Sequence, residues 1–143
     1  MYKHVLVPVS FDEDRDAAGA ARVGRLLAGE DGRITLLHVI EQIPYYAISY
    51  LPQEYLTEAR AAIEAELGEM AAGLPRAQAA VVEGHSGRTI LEWAETNDVD
   101  CIVIASHRPG MQDLLLGSTA SQVVRHAACS VHVVRPRDGQ ARG

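Results

Sequence analysis

The chain has 143 residues, of which 48% are hydrophobic and 22% are charged, and its formal net charge is −6. That length fits one domain with its own core, and the composition excludes a disordered or fibrous protein. The acidic excess argues against nucleic acid as a partner, because duplex phosphates attract clustered cations. The sequence has no run of basic residues that would indicate binding to an anionic membrane surface. It also has no apolar stretch long enough to span a bilayer.

The first residues and the lack of a bilayer-length apolar stretch favour a cytoplasmic protein. Met1 leads directly into a strand-like segment, without the basic head and apolar core of a signal peptide. Cys101 and Cys129 are the only cysteines, and no CxxC pair predicts a zinc site. Cys101 begins an apolar run and is predicted to be buried. Cys129 is predicted to lie in a loop, where it is either inert or redox-active.

The first elements in chain order are a strand, a helix and a second strand. The run His4–Val9 is rich in Val and lacks polar alternation, which is typical of a strand covered on both faces. Ser10–Glu13 has the S-x-x-E form of a capping box and predicts a helix after it. The apolar stripe of this helix consists of Ala20, Val23 and Leu27. The helix can end at Gly29 or Gly32. The second strand is predicted over Ile34–Ile40.

The middle of the chain predicts a long loop, a helix and a weaker strand. The loop Gln42–Pro52 carries tyrosines that either cover a ligand site, contact a partner or fold back onto the neighbouring helix: Tyr45, Tyr46 and Tyr50. The helix has apolar residues at steps of three and four and glutamates on its other faces. Its apolar residues are Leu56, Ala59, Ile63, Leu67 and Met70, and Gly73 and Pro75 end it. The run Ala77–Val82 predicts a shorter or more exposed strand.

Two helices and two strands are predicted in the remainder. The third helix runs from about Ser86 to Asn97, with Ile90, Leu91 and Ala94 facing inward. A buried strand follows over Cys101–Ala105. The fourth helix begins near Gly117 or Ser118 and ends around His126, with Ala120, Val123 and Val124 facing inward. Val131–Val134 is the last strand.

The alternation of strands and helices predicts a single α/β domain over residues 1–137, followed by a flexible tail over 138–143. Right-handed crossovers then place helices on both faces of an open parallel sheet. Ligands of such sheets collect beyond the carboxyl ends of the strands, where the strand order reverses. The loops that leave the first and fourth strands are therefore the expected site.

The segment after the fourth strand carries the residues that phosphate chemistry needs. The segment continues through a loop to Gly117 and Ser118, where a helix is predicted to begin. Glycine lets phosphate oxygens approach the backbone, and the first helical N–H groups point outward unpaired. Ser118 and Thr119 add hydroxyl donors. An alternative interpretation stays open, in which Ser118 only N-caps the helix and Gly117 makes a turn.

This segment resembles the nucleotide loop of the universal stress protein family, whose pattern is G-x2-G-x9-G-[S/T]. The resemblance covers nearly the whole chain, and includes Val5–Val9, Leu36–Val39 and the closing run from Gly117 to Val134. The loop residues 105–109 and the upstream residues 43–47 are most similar to the bacterial F/G branch of that family.

The resemblance implies a Rossmann-like five-stranded sheet in the order 3-2-1-4-5, with ATP or AMP, and Mg²⁺ as a further candidate, at its switch point. The adenosine would then lie beside Pro8, Val9 and Ser10. The adenine would pack on Val39, and the base and ribose would contact Ile104 and Ala105. Gly117, Ser118 and Thr119 would hold phosphates. The candidate nucleotide-binding set is completed by Ser106, His107, Arg108 and Ala120.

The sequence departs from the family pattern at three places. Ala105 and Arg108 stand at the first two loop glycines, and the loop is one residue short. Ser10 stands where many members have an aspartate that contacts the nucleoside. A hydrogen bond to a charged group contributes about 1.5–3 kcal/mol, so losing that aspartate weakens a site by roughly ten- to a hundredfold. Arg108 either offsets this loss at the phosphates, faces solvent or pairs with Asp113.

Other polar residues have simpler interpretations. Asp12, Glu13, Asp14 and Asp16 complement the positive end of the first helix dipole, with a Mg²⁺ role as the alternative. His107 either contacts phosphate or is solvated, and His38 is predicted to be a half-buried, hydrogen-bonded residue of its strand. No spacing of histidines predicts a metal site, and no nucleophile sits in a G-x-S-x-G setting.

The final strand would be an edge, and an exposed Val-rich edge invites pairing with another chain. Arg135-Pro136 would block such pairing, whereas the family resemblance implies a homodimer joined through residues 130–135. Three functions remain open. The first is a nucleotide-binding regulatory dimer in stress response, with an unknown protein partner. The second is a partner-binding dimer without nucleotide, and the third is a slow ATPase or autophosphorylating protein.

Overall fold

The protein is described here from a computed structural model, which describes residues 1–11, 16–41, 50–106 and 117–135. Strands and helices alternate in this order: β1 (His4–Pro8), α1 (Ala17–Ala28), β2 (Arg33–Ile40), α2 (Gln53–Ala72), β3 (Ala77–Glu83), α3 (Ser86–Thr96), β4 (Cys101–Ala105), α4 (Ser118–His126) and β5 (Ser130–Val134). The predicted tail at 138–143 lies outside the described residues. No helix of the described segments is both long and apolar enough to cross a membrane.

The strands form one five-stranded parallel sheet in the order β3-β2-β1-β4-β5, which confirms the predicted fold class and strand order. β1 and β4 are adjacent although they are far apart in sequence, so the chain reverses its direction of winding between them. This reversal is the switch point at which open α/β sheets bind ligands. β1 and β4 are also the most deeply buried strands, as their unbroken apolar runs predict.

Each face of the sheet packs against two helices. Val5, Val7 and Leu36 belong to a core cluster that is completed by α1 and α2. Leu6, Leu37 and the other face of β4 belong to a second cluster, completed by α3 and α4. Neighbouring residues of one strand therefore belong to opposite cores, because successive side chains alternate between the faces of a sheet.

The first helix begins later than its predicted capping box. Asp16 holds the N-cap position, where its Oδ1 accepts a hydrogen bond from the Gly19 amide at 2.9 Å. The capping box expected at Ser10–Glu13 is therefore wrong, since a helix that starts at Ala17 takes its cap from the residue directly before it. Gly29 ends the helix as predicted, with a φ of 69° that favours glycine.

The predicted inward faces of α2 and α4 are wrong in two positions. Ala59 on α2 is exposed, and Val124 on α4 has 43% of its surface exposed. α2 packs mainly against the edge strand β3, and its 20 residues span about 30 Å against about 23 Å for the 7 residues of β3. Its first turns thus extend past the carboxyl edge of the sheet, whereas Leu67 and Ala71 near its end are buried.

A cation on α2 ties the helix to the outer edge of the sheet. Arg60 donates from Nη2 to the Val81 carbonyl at 3.0 Å and from Nη1 to Glu83 Oε2 at 2.9 Å. It also pairs with Glu64 one turn along the helix. The guanidinium thereby occupies a carbonyl on the edge strand β3, which would otherwise be open to pairing with another chain.

A buried polar network fills the amino edge of the sheet. The Asn97 carbonyl can only accept, so His4 Nδ1 carries a hydrogen and donates to it at 3.0 Å. In the neutral ring His4 Nε2 then accepts from the Thr35 hydroxyl at 2.8 Å, and that oxygen accepts from Gln78 Nε2 at 3.0 Å. Asp100 accepts the Lys3 and His4 amides at 2.9 and 3.0 Å. We call this chain of contacts the amino-edge network.

Burial sets the protonation state of His4. The residue is only 2% exposed, and its ring packs edge-on against Trp93 at 5.8 Å between ring centroids. Loss of hydration lowers the pKa of His4, and the hydrogen bond to the Asn97 carbonyl only partly offsets this effect. Burial therefore favours the neutral ring, in which Nδ1 donates and Nε2 accepts.

Candidate functional site at the carboxyl edge of the sheet

A cleft of about 570 Å³ opens at the carboxyl ends of β1, β2 and β4, which is the switch point of the sheet. Its volume lies in the range of roughly 300–1,000 Å³ that is usual for small-molecule sites. The cleft is lined by these residues of the predicted nucleotide-binding set: Pro8, Val9, Ser10, Val39, Ile104, Ala105 and Thr119. The structure thus brings together side chains from three strand ends and one helix start.

Other predicted residues lie beside the cleft without lining it. Ser106 is fully buried, and its amide donates to the Val134 carbonyl at 2.9 Å, so it joins β4 to β5. Ala120 is also fully buried, in the core between the sheet and α4. His107 and Arg108, together with the rest of the loop to residue 116, lie outside the described residues.

The start of α4 has no side-chain cap among the described residues. Gly117 holds the N-cap position with φ 92° and ψ 156°, a conformation that favours glycine. Ser118 is the first helical residue and is exposed, so the alternative in which Ser118 caps the helix is wrong. Thr119 lies one position further and faces the cleft.

Sequence reasoning missed a second group of lining residues. From the ends of β1 and β2 come Phe11, His38 and Glu41, and from α2 and α3 come Ile63, Glu66 and Ser86. Phe11, His38 and Glu41 lie at or just after the ends of predicted strands, and this position could have identified them as lining residues. The sequence does not mark the lining residues of α2, because only the packing of a helix that extends past the sheet brings them to the cleft.

His38 and Phe11 form a pair on one wall. His38 is half-buried and donates from Nδ1 to the Val9 carbonyl at 2.7 Å, which confirms its prediction as a hydrogen-bonded strand residue. The ring of Phe11 lies 5.1 Å from the imidazole, tilted by 46°, and 36% of the residue is exposed. An aromatic surface is therefore available at the mouth of the cleft.

The described walls of the cleft are acidic. Glu41 accepts a hydrogen bond from Ser86 Oγ at 2.8 Å, which fixes its carboxylate beside the start of α3. Glu66 adds a second carboxylate from α2, and the described lining residues include no Lys or Arg. Among the described residues, no group of three or more His, Cys, Asp or Glu side chains is placed to hold a metal ion.

The cysteines lie away from the cleft. Cys101 is 1% exposed, which confirms its predicted burial, and loss of hydration raises the pKa of its thiol to about 11. Cys129 is half-buried, and burial likewise raises its pKa. Both thiols therefore stay protonated at neutral pH and are poor nucleophiles.

The predicted tyrosine patch is only partly described. Tyr45 and Tyr46 lie outside the described residues, as do Asp12, Glu13 and Asp14 of the acidic cluster. Tyr50 is 85% exposed and Leu51 is half-buried just before α2. Tyr50 therefore does not fold back onto the helix, which was one of the alternatives for this loop.

Comparison with known proteins matches residues 1–135 to the model of the Universal stress protein family. Universal stress protein G of Salmonella typhimurium is 34% identical over 142 residues, which cover 94% of this chain and 100% of that protein. Universal stress protein A homolog 2 of Coxiella burnetii is 30% identical, with 94% of this chain and 95% of that protein covered.

Solved structures share the fold. The protein MJ0577 superposes with a TM-score of 0.81 at 23% identity, covering 97% of this chain and 99% of that chain. UspA from Lactobacillus plantarum gives a TM-score of 0.69 at 26% identity, over 94% and 98% of the two chains. A universal stress protein solved in complex with cAMP gives 0.60 at 22% identity, over 93% and 96%.

Proposed function

The chain belongs to the universal stress protein family, and from that membership we propose that its cleft binds an adenine nucleotide, ATP or AMP, in a dimeric regulator of the stress response. One observation carries the proposal. Val39, Ile104 and Thr119 line one cleft at the switch point, beside the N-terminus of α4, which no described side chain caps.

The chemistry of that side of the cleft suits a nucleoside followed by phosphate. Val39 and Ile104 offer aliphatic surface for a base, and the Thr119 hydroxyl is a donor at the helix start. Unpaired amides at a helix N-terminus and the positive end of its dipole attract phosphate oxygens. A structural neighbour was solved with cAMP, which belongs to the same chemical class as the proposed ligand.

The first test is the nucleotide content of freshly purified protein, measured by anion-exchange chromatography after denaturation, followed by calorimetry with ATP, AMP and adenosine. We expect bound adenine nucleotide close to one per chain, or a calorimetric response to ATP or AMP. Protein that is empty and gives no heat with any of the three would overturn the proposal.

A matched pair of variants locates the phosphates. Thr119→Val removes a hydroxyl at nearly constant volume and should weaken ATP and AMP about tenfold, because a hydrogen bond to a charged group contributes about 1.5–3 kcal/mol. Adenosine binding should not change. Thr96→Val, at the exposed end of α3, is the control and should leave all three affinities unchanged.

The dimer is proposed to form through β5. This strand is an edge of the sheet, with Val131 and Val133 half-buried and His132 exposed. His132→Asp places like charges near each other across a two-fold axis and should lower the mass measured by light scattering from dimer to monomer. His126→Asp on α4 is the control. A wild-type monomer at micromolar concentration would contradict this part of the proposal.

A second candidate function is a partner-binding dimer without nucleotide. The observation that favours it is the pair of carboxylates, Glu41 and Glu66, on described walls that carry no cation. Phosphates are repelled by such walls. An empty protein that ignores ATP and adenosine, yet remains a dimer, would support this second function.

A further inference from the structure

The hydrogen bonds between β1 and β2 stop although the register of the two strands continues. Pro8 is opposite Leu37, and the Val9 amide donates to the Leu37 carbonyl at 2.8 Å. The next bond of a parallel pair would run from the Val39 amide to the Val9 carbonyl, because such bonds are evenly spaced along the strands. Among the described residues this bond is absent, and β1 ends at Pro8.

The side chain of His38 takes the place of the Val39 amide at the Val9 carbonyl. Its Nδ1 donates to that carbonyl at 2.7 Å. In a continued register His38 would be the residue opposite Val9, so the two side chains lie on the same face of the sheet. Val9 is only 4% exposed, and a buried carbonyl without a donor is costly. The imidazole therefore supplies the bond that strand pairing would otherwise have made.

The Val39 amide is left on the side of β2 where β1 has ended. Backbone groups of successive strand residues point alternately to the two neighbouring strands. The Leu37 carbonyl faces β1, and the Ile40 carbonyl accepts from Gly84, just after β3. Val39 lies two positions after Leu37 and therefore faces the β1 side, at a wall of the cleft. Within the described segments no group accepts from its amide.

Phe11 packs on the imidazole that makes this bond. The two ring centroids are 5.1 Å apart, and the ring planes are tilted by 46°. Phe11 follows Val9 by two residues, so His38 contacts the segment after β1 twice, through a carbonyl and through a ring. Val9 and Ser10 of that segment line the cleft. Contacts with one histidine therefore fix the path of this wall where strand pairing no longer does.

We propose that His38 is a positioning residue of the cleft: by holding the Val9 carbonyl, it ends the pairing of β1 with β2 and keeps the Val39 amide available to a ligand. An N–H group beside the aliphatic surface of Val39 and Ile104 suits the edge of a base, whose ring nitrogens accept hydrogen bonds. The role of His38 toward a nucleoside rests on the proposed function, whereas its role in ending the strand pairing does not.

The first experiment compares His38→Leu with His38→Asn in the ligand-free protein. Leucine keeps an apolar body against Phe11 but cannot donate, whereas the asparagine Nδ2 stands about where the histidine Nδ1 does and can donate. NMR detects the scalar coupling that a hydrogen bond transmits between an amide nitrogen and a carbonyl carbon. We expect this coupling between Val39 and Val9 in His38→Leu, with hydrogen exchange of the Val39 amide slowed about tenfold. Wild type and His38→Asn should show neither.

The second experiment measures adenosine binding to the same proteins by calorimetry. His38→Leu should weaken adenosine about three- to tenfold, the scale of one hydrogen bond between uncharged groups, because the Val39 amide is then occupied by Val9. His38→Asn should bind as wild type does. His126→Ala removes an exposed imidazole at the end of α4, outside the lining of the cleft, and is the control that should change nothing.

Three results would overturn the inference: no coupling between Val9 and Val39 in His38→Leu, equal losses of adenosine affinity in His38→Leu and His38→Asn, or an unchanged affinity in a His38→Leu protein that shows the coupling. The wild-type titration tests the proposed function separately. If wild-type protein does not bind adenosine, the proposed ligand is wrong, and the coupling alone decides whether His38 ends the strand pairing.

Discussion

The two edges of the same sheet carry histidines in contrasting settings. At the amino edge His4 is 2% exposed, and both ring nitrogens are engaged with groups from β2 and the end of α3. At the carboxyl edge His38 is half-buried, and only Nδ1 has a described partner. One edge of the fold is closed by mutually satisfied polar groups, and the other leaves acceptors available to a ligand.

This contrast separates stability from binding. A buried polar group whose partner is removed costs the free energy of its desolvation, whereas a partly hydrated group loses little. Substitutions at the amino edge should therefore lower the free energy of unfolding, and substitutions at the carboxyl edge should alter ligand affinity.

The largest effect is expected for His4→Ala. It removes a buried ring and leaves the Asn97 carbonyl and the Thr35 hydroxyl without that partner, so the free energy of unfolding should fall by about 2–4 kcal/mol. His38→Ala, the matched change at the other edge, should cost less than about 1 kcal/mol. Urea denaturation measures the free energy of unfolding of both variants. Equal decreases would contradict the proposed difference between the two edges of the sheet.

A smaller loss is expected for Asp100→Ala. Its carboxylate accepts the amides of Lys3 and His4, and hydrogen bonds to a charged acceptor contribute about 1.5–3 kcal/mol before screening by solvent reduces them. We expect a decrease of about 1–2 kcal/mol in the free energy of unfolding. Asp31→Ala, an exposed aspartate between α1 and β2, is the control and should be neutral.

The amino-edge network also predicts a pH dependence. Burial lowers the pKa of His4 in the folded protein below its usual 6.5, with Arg33 acting in the same direction and Asp100 and Asp98 opposing it. The unfolded chain then binds the proton more tightly, so stability should fall as the pH drops below about 6.5, and the loss ends below the folded pKa. His4→Gln should flatten this part of the profile.

Asp100 acts in a more acidic window. Burial alone would raise the pKa of Asp100, but the Lys3 and His4 amides outweigh it, and the pKa is lowered from 3.8. Its contribution is present above that value and is lost as the pH falls through the folded pKa. Asp100→Asn should remove this acidic phase and extend the His4 phase to lower pH, because the Asp100 charge no longer opposes the lowering of the His4 pKa. A profile identical to wild type would contradict the assignment.

The smallest change in stability is expected for Glu41→Gln at the carboxyl edge. The amide oxygen can still accept from Ser86, so the free energy of unfolding should change by less than about 0.5 kcal/mol. Because one negative charge leaves the walls of the cleft, ATP should bind more tightly while adenosine is unaffected. Calorimetry with both ligands measures this, and equal changes for the two would argue against phosphate near Glu41.

Local patterns determined much of the outcome. Runs rich in Val and Ile predicted four of the strands, the weaker run Ala77–Val82 predicted β3, and Gly117 next to Ser118 marked the start of α4, because strand and helix signals depend on neighbouring residues. The resemblance to the family then implied the strand order, which the sheet confirms. Asp16 as the cap of α1 was missed because the S-x-x-E pattern just before it is an equally good local signal.

Only the tertiary structure decided which distant side chains meet. His4 finds Thr35 and Asn97 across 31 and 93 positions of sequence, and no local pattern pairs them. The overhang of α2 past the sheet brings Ile63 and Glu66 to the cleft, although their periodicity predicts only a surface helix. A sequence displays the period of each element, but the contacts between elements depend on lengths and crossings that are set when the whole chain packs.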